Sequence, residues 1–336
     1  MNRLRTTPPS PPALPAPARP GAGWPCGWHR WLVRCAGLLL LAGTGPSTGA
    51  AQSVPAAAAV SGAAVSAGAV RIVAAENFYG DVARQLAGPD AQIVSVLSNP
   101  DADPHLFETD AATARAVANA QLLIYNGAHY DDWMTRLIAG SHLPPERVID
   151  VAALMHRQGP HVNPHLWYDP ATMPALATAL AAHLRAIDPA NAASYQRRLA
   201  GFLLSLRVLD AQVLRLRRLY TGVPVTATEP VADDLTAALG LVMRNQEFQL
   251  AIMNNTEPGA RETAEFEHSL RSHAVRLLIY NRQADSNIVQ RLIGIARQAG
   301  VPIVGVTETE PPTVDYQLWM LDTLGALERA LRGRPP

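Results

Sequence analysis

Lysine is absent from this sequence of 336 residues, so all 28 of its basic residues are arginine. That uniformity reflects coding bias in a GC-rich genome, because no single chemical role fits every position. Cysteine is nearly absent. Cys26 and Cys35 both lie near the N-terminus, and a mature chain without that segment has no thiol. Disulfides, zinc–thiolate sites and a cysteine nucleophile are then excluded. Excess charge is absent too: 28 basic residues face 28 acidic ones. This argues against nucleic acid or an anionic membrane surface as the main partner. The length suffices for two α/β lobes of ordinary size.

The N-terminal segment reads as an export signal. Residues 1–28 are rich in proline, alanine and arginine. His29, Arg30 and Arg34 then precede an apolar run over 36–42, which is too short to span a membrane. Small residues follow, including Thr48-Gly49-Ala50-Ala51. A charged region, a short apolar region and a small-residue cleavage site make a secretory signal. Residues 1–51 are therefore expected to be a signal peptide with a disordered N-terminal extension. Cys35 precedes the apolar run and is badly placed to anchor a lipoprotein. Residues 52–69, almost pure Ala, Gly, Ser and Val, are expected to form a flexible leader.

From Val70 onward, apolar strand patterns alternate with helical ones. Strands are expected over 70–75, 91–97, 122–125 and 147–151. Helices are expected over 79–86, 110–120 (with Thr109 as N-cap) and 131–138. Strands separated by helices pair in parallel, so 70–188 is expected to be an N-terminal α/β lobe. Two helical stretches over 171–220 are separated by Asp188-Pro189. In the second, Leu199, Phe202, Leu203, Leu206, Leu209, Val213 and Leu216 recur at helical spacing. At 1.5 Å per residue it is roughly 45 Å long, enough to link two lobes. The linking helix is placed at 189–220. Strands over 223–228, 274–280 and 301–306 then alternate with helices over 231–239, 258–272, 287–299 and 314–331. These make a C-terminal α/β lobe over 221–336. The fold class is α/β: two βα lobes with mostly parallel sheets, joined by one long helix. No internal repeat stands out.

Metal-capable side chains recur at strand ends and in loops. One group is Asp103-Pro104-His105-Leu106-Phe107-Glu108. A second is Asn163-Pro164-His165-Leu166-Trp167-Tyr168-Asp169-Pro170, and a third is Thr228-Glu229-Pro230. Glu308 ends a predicted strand, with Glu310 as its rival two residues on. Ligands favour the carboxyl ends of strands in open α/β sheets, and interfaces between lobes. Two imidazoles with two carboxylates suit a divalent transition metal, and the two acids neutralise its charge. Asn163 and Asp169 are expected to orient their loop rather than touch an ion. His161 reads as a solvated loop residue, His129 as an exposed residue at a helix start, and His142, His183, His268 and His273 as surface or boundary residues. Glu229 has a plainer alternative role, capping the helix that follows it.

At these residues the chain resembles the metal-binding solute-binding proteins of ATP-binding-cassette importers for zinc, manganese and iron. The resemblance runs from about Val70 to Leu331. It rests on Pro104-His105-x-Phe107-Glu108, on Asn163-Pro164-His165-x-Trp167-x-Asp169-Pro170, and on Asp188-Pro189 opening the long helix. It implies a periplasmic monomer that holds one divalent metal ion, Zn2+ or Mn2+, between its lobes as transported cargo. It also implies a membrane permease as partner, no nucleic acid and no enzymatic activity. By motif, His105 and His165 carry over as ligands from the first lobe. Glu229 falls where the family has His or Glu, and Glu308 where it has Asp or Glu. The chain departs from the family in three places. Thr228-Glu229-Pro230-Val231 replaces a common Ser-His-x-x-Phe-x-Tyr stretch. Tyr280-Asn281-Arg282-Gln283 replaces a common Glu-Pro-Gln segment. The long His-rich loop of many zinc members is missing, and only His156 and His161 lie near its place. Two alternatives stay open: a secreted metal-dependent hydrolase using the same His/Glu cluster, and a binding protein for a small organic or anionic ligand. Against the first, no His-Glu-x-x-His stretch is present.

Overall fold

The computed structural model describes residues 69–89, 91–100, 104, 107–159, 162–284 and 286–333. The expected signal segment, nearly all of the leader, His105 and His161 lie outside the described residues.

The first lobe is built on β1 (Arg71–Glu76), β2 (Gln92–Leu97), β3 (Leu122–Tyr125) and β4 (Val148–Asp150). Every residue of β1 except Arg71 is buried. A continuous apolar run of this kind marks a strand covered on both faces of a parallel sheet. The sheet order is β2-β1-β3-β4, all parallel. The connections are α1 (Asn77–Ala87), α2 (Ala111–Ala118) and α3 (Asp132–Gly140), and α4 (Val151–Leu154) follows β4. Asp110, not Thr109, caps α2: its Oδ1 accepts the backbone N–H of Thr113 at 2.7 Å. A carboxylate is the stronger acceptor near the positive end of a helix, which explains the one-residue shift.

Helices α5 (Thr172–Ile187) and α6 (Ala192–Tyr220) follow, separated by a 3-10 turn over Pro189–Asn191. Asp188 secures the start of the long helix, accepting from Asn191 Nδ2 and the Tyr195 hydroxyl, each at 2.7 Å. The 29 residues of α6 extend about 44 Å. One face buries Tyr195, Leu199, Phe202, Leu206, Leu209, Val213 and Leu216. Each such side chain contributes roughly 1.5–3 kcal/mol when fully buried. That face packs on α1 and α5, and on the C-terminal helix α11 (Tyr316–Arg332).

The second lobe contains β5 (Pro224–Ala227), β6 (Val242–Arg244), β7 (Leu278–Asn281) and β8 (Ile303–Val306), with α7 (Asp233–Ala238), α8 (Gln246–Met253), α9 (Ala260–Arg271) and α10 (Asn287–Gln298). Its order is β6-β5-β7-β8, again all parallel. The two sheets thus repeat one topology. Strand β6 and helix α8 were not anticipated from periodicity. Val242 and Arg244 are exposed and Met243 is only partly covered, so β6 has no apolar run to announce it.

In each sheet the chain leaves the first strand for one side and returns on the other. The carboxyl ends of β1 and β3, and of β5 and β7, are therefore topological switch points, where open α/β sheets bind ligands. Among the described residues no helix is long and apolar enough to cross a membrane.

Candidate metal centre

His165 sits just before a 3-10 turn over Leu166–Tyr168 and is almost fully buried. Asn163 fixes its ring. The Asn163 Oδ1 accepts from the backbone N–H of His165 at 3.1 Å and lies 2.7 Å from Nδ1. The Asn163 Nδ2 donates to the carbonyl of Pro230 at 2.7 Å, which settles which end of the amide faces the ring. Because Oδ1 can only accept, Nδ1 carries a hydrogen, and Nε2 is the ring nitrogen turned away from Asn163. That nitrogen stands 3.5 Å from Oε2 of Glu308. Trp167, wholly buried, packs edge-on against the imidazole with ring centres 5.3 Å apart.

Glu308 follows β8 and is also almost fully buried. Its Oε1 accepts from Asn281 Nδ2 at 2.5 Å, and its Oε2 accepts from the Tyr130 hydroxyl at 3.0 Å. The Gln283 Oε1 accepts from the backbone N–H of Glu308 at 2.6 Å and of Thr309 at 3.3 Å, holding the loop in place. Glu229 follows β5, and its Oε2 accepts from the same Asn281 Nδ2 at 2.7 Å. It makes no capping bond to the turn that follows, so the helix-capping alternative does not hold.

Tyr130 reaches Glu308 from a strained turn. Gly127, Ala128 and His129 have φ values of 73°, 50° and 63°. The two non-glycine residues each store roughly 1–3 kcal/mol there. A methyl group on Gly127 would meet Asp150 Oδ1 at 2.5 Å. Asp131 stabilises the turn by accepting the backbone N–H groups of Asn126 at 2.6 Å and Gly127 at 2.8 Å. Burial pushes the Asp131 carboxyl up to about 6, against the pull of those two bonds. Beside it, Glu76 is wholly buried at the end of β1. Burial, and then the charge of Asp131, hold its carboxyl well above the usual range. The Asn126 amide joins this turn to the His165 loop, donating to the Pro164 carbonyl at 2.8 Å.

Glu310 is placed differently from Glu308. Its backbone exchanges two hydrogen bonds with the Asn77 side chain, at 2.7 and 3.0 Å. Its carboxyl lies near Asp81 and Arg84, and burial pushes it up to about 9. The fold thus brings His165, Glu229 and Glu308 to one region, with Asn281 between the two acids. His105 lies outside the described residues. Among the described residues, no three His, Cys, Asp or Glu side chains are arranged so that they could hold a metal ion. Sequence reasoning missed Tyr130, Asn281 and Gln283. The only signal for the last two was that their segment departs from the family pattern.

Comparison with known proteins points one way. The family model described as zinc-uptake complex component A, periplasmic (ZnuA), matches residues 72–330. The iron-binding protein YfeA of Yersinia pestis is 25% identical over 146 residues, 42% of this chain and 47% of that protein. The zinc-binding protein TroA of Treponema pallidum is 26% identical over 149 residues, 43% of this chain and 48% of that protein. The chain thus spans about half the length of the curated relatives it matches. As a structure, TroA aligns with a TM-score of 0.66 at 18% identity, over 79% of this chain and 99% of TroA. The solute-binding protein FpvC of Pseudomonas aeruginosa, in complex with Mn2+, aligns with a TM-score of 0.65 at 21% identity, over 79% of this chain and 98% of FpvC. These likenesses agree with the fold of two parallel-sheet lobes and a long helix.

Proposed function

The chain belongs to the ZnuA family of periplasmic zinc-uptake components, and on that premise we propose that it captures one divalent transition metal ion, zinc or manganese, and delivers it to an ATP-binding-cassette import permease. The ligands are His105, His165, Glu229 and Glu308, and the compartment is the periplasm. One observation carries the reading. Ligand atoms held 2.0–2.1 Å from a tetrahedral ion lie roughly 3.3–3.5 Å from each other. His165 Nε2 and Glu308 Oε2 stand 3.5 Å apart in a buried site, the separation two such ligand atoms would have.

Four protein ligands leave no open position for water, which favours capture over hydrolysis. Two carboxylates neutralise a dication, so the ion can be buried at a tolerable desolvation cost. Several contacts hold the lobes together around the site. Asn163 donates to Pro230, Tyr168 donates to the Thr307 carbonyl at 2.9 Å, and Asn77 exchanges bonds with Glu310. With α6 spanning the molecule, release proceeds through small lobe shifts or loop rearrangement on docking rather than wide hinge opening. Calorimetric titration of metal-stripped protein is expected to show saturable binding near one equivalent. The imidazoles must be unprotonated to bind, so affinity should weaken at acid pH. Absence of saturable binding for every divalent metal tried rules the reading out.

A further inference from the structure

Asn281 is in the part of the chain that departs from the family pattern, and its geometry gives the departure a role. It is buried at the end of β7, beside the end of β5 that carries Glu229. Its Oδ1 accepts from the backbone N–H of Gln283 at 3.0 Å. That bond fixes which end of the amide faces the acids, because only the NH2 end can donate. The Nδ2 then spends one hydrogen on Glu229 Oε2 at 2.7 Å and the other on Glu308 Oε1 at 2.5 Å. A neutral group thus holds two buried acids side by side and offsets their mutual repulsion.

We infer that Asn281 is a positioning residue that makes each of these two carboxylates meet a cation through a single oxygen, and so selects zinc over manganese. The inference rests on the metal site proposed above. One oxygen of each acid accepts from the charge-neutral Asn281 amide, which turns it toward that amide and away from a shared ion. The other oxygen of Glu308, Oε2, accepts one hydrogen from Tyr130 and has its remaining lone pair on the side that faces His165. Two single-oxygen acids and two imidazoles supply four donor atoms, which suits tetrahedral zinc. Manganese gains from further oxygens in an octahedral shell, which carboxylates turned to bind through both oxygens would supply. An acid at position 281 would add negative charge and remove both donated bonds.

The test compares Asn281→Ala and the equal-sized Asn281→Asp with the parent protein, all stripped of metal and checked for folding by circular dichroism. Zinc and manganese affinities are measured by competition with a chelating dye, and cobalt(II) complexes by visible absorption. Loss of a group that orients a ligand lowers metal affinity about 10–100-fold. The zinc affinity is expected to fall by that factor while manganese falls much less, so the zinc-to-manganese ratio drops about tenfold or more. The intense visible bands of four-coordinate cobalt should weaken in both variants. A general packing defect would lower both affinities together and leave the ratio and the spectrum unchanged, and that result overturns the inference. A parent protein that binds neither metal refutes the metal site itself, which is a separate and distinguishable outcome.

Discussion

Replacing Glu76 with glutamine should remove a pH-dependent weakness from the fold. Glu76 is wholly buried beside Asp131, and burial followed by the charge of Asp131 holds its carboxyl well above the usual range. The folded protein therefore keeps a proton that the unfolded chain has already lost. For an acid shifted upward, the stability is fully present below the ordinary carboxylate pKa and drains away as pH rises through the folded value. The slope is about 1.4 kcal/mol per pH unit while the folded state holds one extra proton. The loss accumulates at that rate from the ordinary carboxylate range upward until the folded carboxyl itself gives up its proton, and the melting temperature falls with it. Glutamine is neutral, matches the shape and can donate its amide to Asp131 in place of the carboxyl proton. Guanidinium unfolding of the protein in chelator, from pH 4.5 to 7.5, should therefore give curves that separate as pH rises. Carboxyls held low by partners, such as Glu328 at about 2 between Arg215 and Arg332, act below that window and are common to both proteins. Asp131→Asn should weaken the fold at the acid end of the range, where the amide loses an acceptor for Asn126 or Gly127 and little buried charge is relieved. Parallel stability profiles for the parent and Glu76→Gln would refute the reasoning.

Two further perturbations follow from the same geometry. Glu308→Gln should abolish one-equivalent metal binding in calorimetry, whereas Glu310→Gln should bind as the parent does, because the Glu310 carboxyl sits by Asp81 and Arg84. The reverse pattern would transfer the ligand role to Glu310. Arg157 Nη2 lies 3.0–3.1 Å from both oxygens of Asp234, and its Nη1 is 3.8 Å from Asp169. Its side chain is 32% exposed, so screening limits the pair to roughly 1 kcal/mol. A double-mutant cycle with Arg157→Ala and Asp234→Ala should return a coupling of that size that shrinks in high salt. A coupling indistinguishable from zero would remove this pair from the contacts that hold the lobes.

Much of this protein was legible in its sequence because the informative interactions are local. Strand β3 falls at the expected residues, since a run of Leu, Leu, Ile and Tyr bounded by polar residues has only one place to begin and end. The apolar stripe of α6 lies on its buried face, because helical spacing alone decides which side chains share a face. The Asn-Pro-His segment singled out His165, and the Asn163 amide two residues away binds its ring. The repeat of sheet order between lobes was invisible, because strand order is set by crossover paths and not by side-chain identity. Tyr130, Asn281 and Gln283 were invisible for a related reason. Each acts on a residue far along the chain, as Tyr130 does on Glu308 across 178 positions. Spacing favoured Glu308 and left Glu310 as its rival. The packed structure places the two differently, with the Glu308 carboxyl on Asn281 and Tyr130 and the Glu310 backbone on Asn77. Hydrogen bonds are satisfied locally in space and not in sequence, so the side chains that orient a buried group are decided when the lobes close on each other.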